Sequence, residues 1–171
     1  MNRVQTYTGY WVDPLNVKPE QICIEDIAHS LSLQCRFNGH CLRFYSVADH
    51  SVRVAWALPD GLNQWGLLHD AAETYLPDIP RPIKRIIPKY AELEEKLLQV
   101  IAKRFDLSWP MPKEVKLADD RMLTAERRDI LIPTKHKWTD RAEPLPGKIV
   151  PLSAKASEEM FLGMAKAFLT V

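Results

Sequence analysis

The stretch Ser46–Leu76, SVADHSVRVAWALPDGLNQWGLLHDAAETYL, reads as two helices joined by a turn. Ser46 is a suitable helix N-cap, and Asp49 three residues on makes a box-like arrangement with it. Val47, His50, Val54 and Ala57 then recur at i, i+3, i+7 and i+10, which is one helical face. Pro59-Asp60-Gly61 is a turn. Leu62 to Leu76 follows as a second helix, with Leu62, Trp65, His69, Ala72 and Leu76 sharing a face.

The same period extends on both sides. Ile22–Leu33 predicts a helix with Glu25 and Asp26 in its first turn, where the helix dipole favours acids. Tyr90–Phe105 turns Tyr90, Leu93, Leu97, Val100 and Ile101 inward, with Glu94, Glu95, Lys103 and Arg104 outward. Lys113–Leu131 carries Val115, Asp119, Met122, Glu126 and Ile130 on one stripe, and Ser153–Leu169 closes the chain through Met160, Met164 and Phe168. Between these lie an extended arm or small hairpin (Met1–Gln21), a loop (Arg36–Tyr45), a proline-broken segment (Pro77–Pro82) and a polar loop (Thr134–Pro151). Six helices without a convincing strand pair predict an all-α bundle. It forms one domain over 1–171, with its core in about 22–131 and a final helix at 153–169.

The composition supports this. The chain has 171 residues, 46% of them apolar and 26% charged, which suits a globular core and argues against disorder. A net charge of +1 opposes a broad nucleic-acid-coating surface, so no stable nucleic-acid partner is expected. No apolar run approaches the ~18 residues of a membrane span, and Met1–Tyr10 lacks a secretory pattern. Cys23, Cys35 and Cys41 are too few and too odd in number for a disulfide framework, so reduced, buried thiols and a cytoplasmic location are expected. No Walker-type glycine loop is present, which disfavours a kinase or motor ATPase.

Several polar residues stand where a plain bundle would carry Leu or Ala. His50 lies between Val47 and Val54, His69 between Trp65 and Leu76 with Asp70 beside it, and Asp119 between Val115 and Met122. Any one alone reads as a hydrogen-bonded core histidine or an ion-paired acid. Together they place two imidazoles and two carboxylates on three inward stripes, mixed N/O ligation suited to Zn²⁺, Mn²⁺, Co²⁺ or Fe²⁺. Glu73, one turn after His69, overhangs the same place, where an acid beside a metal site serves general acid-base hydrolysis. Its plain alternative is a salt bridge to an arginine. His29 is expected to pack or cap, His136 to face solvent, and Trp11, Trp56, Trp65, Trp109 and Trp138 to act as core or surface anchors.

The ordered set Ser46-Val47-Ala48-Asp49-His50-Ser51, Leu68-His69-Asp70-Ala71-Ala72-Glu73 and Lys116-Leu117-Ala118-Asp119 resembles the HD-domain metal-dependent phosphohydrolases. Within them it is similar to the small 5′-nucleotidase branch and to phage-encoded deoxynucleotide hydrolases. Pro77–Lys84 and the Arg36-Phe37 pair resemble segments of that branch, so the likeness runs over roughly Ile24 to Asp129. It implies an HD-type bundle with His50, His69, Asp70 and Asp119 as ligands of a divalent ion, Zn²⁺, Co²⁺, Mn²⁺, Fe²⁺ or Mg²⁺. It further implies Glu73 as the catalytic carboxylate, Arg36 and Lys84 on phosphate, Phe37 against base or sugar, and Asp78 on the sugar or a water.

The expected activity is nucleotide hydrolysis at the first phosphorus, releasing a nucleoside with phosphate or, from a triphosphate, with the intact chain of three. The substrate is a small nucleotide, deoxynucleotides are preferred, no membrane is involved and a homo-oligomer is an open expectation. Arg36, His40, Arg43, Arg81, Lys84 and Arg85 make a dense cationic set around the ligand helices and tilt the reading toward triphosphates. Two rivals stand beside it. A guanosine-tetraphosphate hydrolase is opposed by Ala72-Glu73-Thr74, where that branch carries a Glu-Asp pair. A non-enzymatic helical protein with a structural metal would lack metal-dependent phosphate release.

Overall fold

The computed structural model describes residues 3–136 and 142–169; Trp138 lies outside them. The chain is all-α apart from one small hairpin. β1 (Val4–Gln5) and β2 (Trp11–Val12) pair antiparallel, followed by α1 (Ile24–Leu33), α2 (Val47–Trp56), α3 (Asn63–Leu68), α4 (Arg81–Lys84), α5 (Pro88–Arg104), α6 (Lys113–Ile130) and α7 (Ala154–Phe168). Seven helices among the described residues replace the six expected, because Arg81–Lys84 forms a single helical turn inside the proline-rich segment. Pro82 fits there, since a first-turn N–H has no helical partner to lose.

α2 is the centre of the bundle. It packs against α1, α3, α6 and α7, and eight of its ten residues are buried. One apolar group joins α1, α2, α7 and the inward face of α5, with Ile27, Leu31, Val52, Leu68, Ile101 and Phe161 among its members. A second group lies on the other side of α2, where Val54 and Trp65 meet Val115, Met122 and Ile130 of α6. A helix buried on all sides has no solvated face for its polar residues, which is why Asp49 and His50 are both fully buried.

The ends of α2 follow local chemistry. Ser46 Oγ accepts the Asp49 N–H at 3.0 Å, as its sequence position predicts. The other half of the expected box is absent: the Asp49 carboxylate accepts from Arg53 Nε and from the Leu152 N–H, each at 2.8 Å. It thereby ties α2 to the segment entering α7. Ser153 caps α7 in the same manner as Ser46 caps α2.

The hairpin is clamped onto α1. Thr8 donates through its N–H and its hydroxyl to the two oxygens of buried Asp26, at 2.7 and 2.9 Å, and Tyr7 stacks on His29 with ring centroids 3.7 Å apart. His29 also meets Glu158 of α7 at 3.1 Å, so its contacts lie outside its own helix, while His136 is exposed, as expected. Trp65 is the buried tryptophan, donating from Nε1 to the Ser108 carbonyl at 2.8 Å; Trp11, Trp56 and Trp109 lie at the surface. The three cysteines are free thiols but half-buried rather than buried. Burial and neighbouring Cys35 push the Cys41 thiol up to about 12, which leaves it a poor nucleophile. No helix among the described residues is long and apolar enough to cross a membrane.

α2 and α3 approach closely at Gly66. A β-carbon there would sit 2.7 Å from Ala55 Cα and 2.6 Å from Leu58 Cδ1. Gly66→Ala should therefore separate the two helices and lower the unfolding free energy by about 1–3 kcal/mol, the usual range for overpacking. Urea denaturation measures it, and a midpoint equal to that of the unaltered chain would show that the contact yields freely.

Candidate metal centre

Three elements bring the inward polar residues together. His50 comes from α2, Asp119 from α6, and His69 and Asp70 from the turn after α3. The sequence reading of one helix from Leu62 to Leu76 fails at this turn. α3 stops at Leu68, and a 3-10 segment resumes at Ala71–Thr74. The cause is local competition for an acceptor. His69 Nδ1–H donates to the Gly66 carbonyl at 2.7 Å, the group a continuing helix would offer to the Asp70 N–H. Asp70, at φ −100° and ψ 9°, turns off the helix and brings its carboxylate round to the imidazoles.

The geometry is compact. His50 Nε2 and His69 Nε2 are 3.2 Å apart. Asp119 Oδ1 is 3.3 Å from His50 Nε2, and Asp70 Oδ2 is 3.3 Å from His69 Nε2 and 3.7 Å from His50 Nε2. One ligand atom each from His50, His69 and Asp119 lie within 4.8 Å of one another, so this trio could hold a metal ion. Asp70 stands beside it. A carbonyl accepts from His69 Nδ1 and a carboxylate from His50 Nδ1, so in the neutral rings both Nε2 atoms carry lone pairs. Two facing imidazole nitrogens ringed by carboxylates suit a cation, and the donor set fits a borderline divalent ion.

The carboxylates around the rings favour positive charge at this place. Burial and the Arg36 guanidinium oppose charge on the His50 ring, but the Glu126 and Asp119 carboxylates outweigh them and raise it to about 9. Asp70 and Asp119 stay well below the usual carboxylate range despite burial, held down by the two imidazoles. Glu73 is the exception. Its burial, then the neighbouring Asp70 and Asp78 carboxylates, push it well above the usual range. Neighbouring carboxylates are thus driven in opposite directions.

Arg36 reaches this centre from a strained loop. Phe37 and Asn38 have φ of 54° and 51°, left-handed conformations that cost on the order of 1–3 kcal/mol each and cluster at functional sites. The loop ends are pinned to the start of α2 by Arg36 N–H to Tyr45 O at 2.9 Å and Val47 N–H to Gln34 O at 3.0 Å. Arg36 Nη1 lies 3.5 Å from Asp70 Oδ2, and Nη2 donates to Glu126 Oε2 at 3.0 Å. Its Nε is buried without a hydrogen-bond partner among the described residues. The guanidinium carbon lies 5.4 Å from the Phe37 ring centre.

The remaining expected substrate residues lie further out. Lys84 Nζ bonds Asp78 Oδ1 and Glu94 Oε1, both at 2.8 Å, so Glu94 faces this pair rather than solvent. Arg81 is exposed and 3.8 Å from Asp120. His40, Arg43 and Arg85 are exposed. Two residues near the centre were missed. Lys116 bonds Asp119 Oδ2 at 2.6 Å and Asp120 Oδ1 at 2.9 Å. Glu126 is fully buried against His50 and Arg36. Its signal was its place on the apolar stripe of α6, seven residues after Asp119.

Comparison with known proteins adds kinship. No protein-family model matches the chain. It is 38% identical over 168 residues to the uncharacterized protein YfdR of Escherichia coli, covering 95% of this chain and 93% of that protein. The chain belongs to the YfdR family. An uncharacterized protein of Rhodobacter capsulatus is 40% identical over 121 residues, 65% of this chain and 62% of that protein. A separate cavity of about 480 Å³, lined by Arg53, Trp56, Arg121, Leu145 and Lys148, includes none of the metal-centre residues.

Proposed function

We propose that this YfdR-family chain is an HD-type, divalent-metal-dependent hydrolase of deoxynucleotides that cleaves at the first phosphorus. The observation that carries the reading is the convergence of two imidazole Nε2 atoms and the Asp70 and Asp119 carboxylates, with the Arg36 guanidinium 3.5 Å from Asp70. A divalent ion held by His50, His69, Asp70 and Asp119 supplies Lewis acidity and a lowered water pKa. Arg36 receives the phosphoryl oxygens, its planar fork suited to phosphate. Glu73, driven toward its protonated form, gives the departing 5′ oxygen its proton. Phe37 offers an apolar face next to Arg36 for the sugar or base.

Charge matching favours the shorter substrate. Three of the six cations that tilted the sequence reading toward triphosphates are matched already: Arg36 by Asp70 and Glu126, Lys84 by Asp78 and Glu94, and Arg81 by Asp120. A monophosphate carries about −2 near neutral pH and asks for fewer free cations than a triphosphate. With Mn²⁺, Co²⁺ or Zn²⁺ supplied in turn, dAMP should release deoxyadenosine and phosphate roughly tenfold faster than dATP releases deoxyadenosine, a ~1.4 kcal/mol preference. Intact tripolyphosphate from dATP at the higher rate would reverse the preference. No phosphate release from any nucleotide with any ion would favour a binding protein with a structural metal.

A further inference from the structure

We infer that Glu126 is a positioning residue that sets the ring of His50 for metal binding and holds Arg36 beside it. The inference rests on the hydrolase reading only for the purpose that Arg36 serves; its metal half stands alone. Glu126 is fully buried and uses one oxygen for each partner: Oε1 accepts from His50 Nδ1 at 2.5 Å, and Oε2 accepts from Arg36 Nη2 at 3.0 Å. Each oxygen thus faces an N–H of a different residue, one on α2 and one on the loop before it.

Two consequences follow from that geometry. A carboxylate at Nδ1 fixes the His50 proton there and leaves Nε2 free to ligate, next to His69 Nε2 and Asp119 Oδ1. The second oxygen places the guanidinium so that Nη1 lies at Asp70. Arg36, Glu126, His50 and Asp70 thus form a closed ring of contacts around the imidazole pair. Packing alone would not select this residue. The neighbours of Glu126 on the α6 stripe are Met122 and Ile130, and a buried charge assembly is often no more stable than apolar residues of similar volume.

The test uses Glu126→Gln, which keeps the side-chain volume and one carbonyl acceptor but turns an amide N–H₂ toward a donor. Zn²⁺ affinity is measured by chelator competition on the full chain. Inorganic phosphate binding is then measured on the zinc-saturated protein. The expected result is zinc bound 10- to 100-fold more weakly and phosphate at least fivefold more weakly, with Glu126→Asp recovering part of both. Zinc affinity within threefold of the unaltered chain overturns the inference. Weakened zinc with unchanged phosphate affinity overturns its Arg36 half. Phe161→Ala, a core change on α7, is the control: if it weakens zinc as much as Glu126→Gln does, Glu126 acts through packing and the inference falls. None of these readings needs turnover. Failure of nucleotide hydrolysis in the unaltered chain would remove the hydrolase reading and leave the zinc result standing.

Discussion

His69→Ala should strip the protein of its divalent ion and of all nucleotide turnover. The ring contributes Nε2 to a centre in which His50 Nε2 is 3.2 Å away and Asp70 Oδ2 3.3 Å away. The Gly66 carbonyl on Nδ1 fixes its orientation. Alanine removes one of four expected ligands. Structural zinc sites bind with apparent free energies of about 10–16 kcal/mol, so one ligand in four is worth roughly 3 kcal/mol, on the order of 10²-fold in affinity. Such a loss empties the site during dialysis. Metal analysis of the purified variant checks this directly, with circular dichroism confirming that the helices persist. Full metal occupancy in His69→Ala would sink the ligand assignment.

Glu73→Ala should behave differently: the metal stays and the rate falls. Glu73 sits in the 3-10 segment after the ligand pair, and no ligand atom of the compact trio belongs to it. Its carboxyl is pushed up by burial and by the Asp70 and Asp78 carboxylates, which suits a group that carries a proton to the leaving oxygen near neutral pH. Removing a general acid-base group costs about 10²- to 10⁴-fold in rate. Phosphate release from dAMP at saturating metal measures the rate, and metal analysis measures retention. Loss of metal along with the rate would make Glu73 a ligand or a structural partner. An unchanged rate would make it a bystander.

The contrast between these variants depends on a helix break that periodicity could not show. Leu62, Trp65, His69, Ala72 and Leu76 keep helical spacing, so the pattern reads as one helix. The break arises because the His69 imidazole takes the carbonyl that the next helical N–H would need. The same limit applies to the cations. Lys84 and Arg81 looked free to meet phosphate, but Asp78, Glu94 and Asp120 come within reach only when the chain folds. Glu126 was visible on its stripe, but its partners His50 and Arg36 stand 76 and 90 residues away.

The sequence by itself determined the all-α class, the helices α1, α2, α5, α6 and α7 to within a few residues, and the cap Ser46. It also marked the histidines and aspartates that stand on apolar faces. These features are legible because helical period and capping depend on hydrogen bonds between residues three or four apart. Only the tertiary structure decided that the helix breaks at His69 and Asp70, that Arg36 reaches the centre through left-handed Phe37 and Asn38, and that Glu126 joins two of its residues. In a buried, low-dielectric space every charged group must find a partner. Which partner it finds is set by the packing of helices distant in sequence, and no local pattern records that choice.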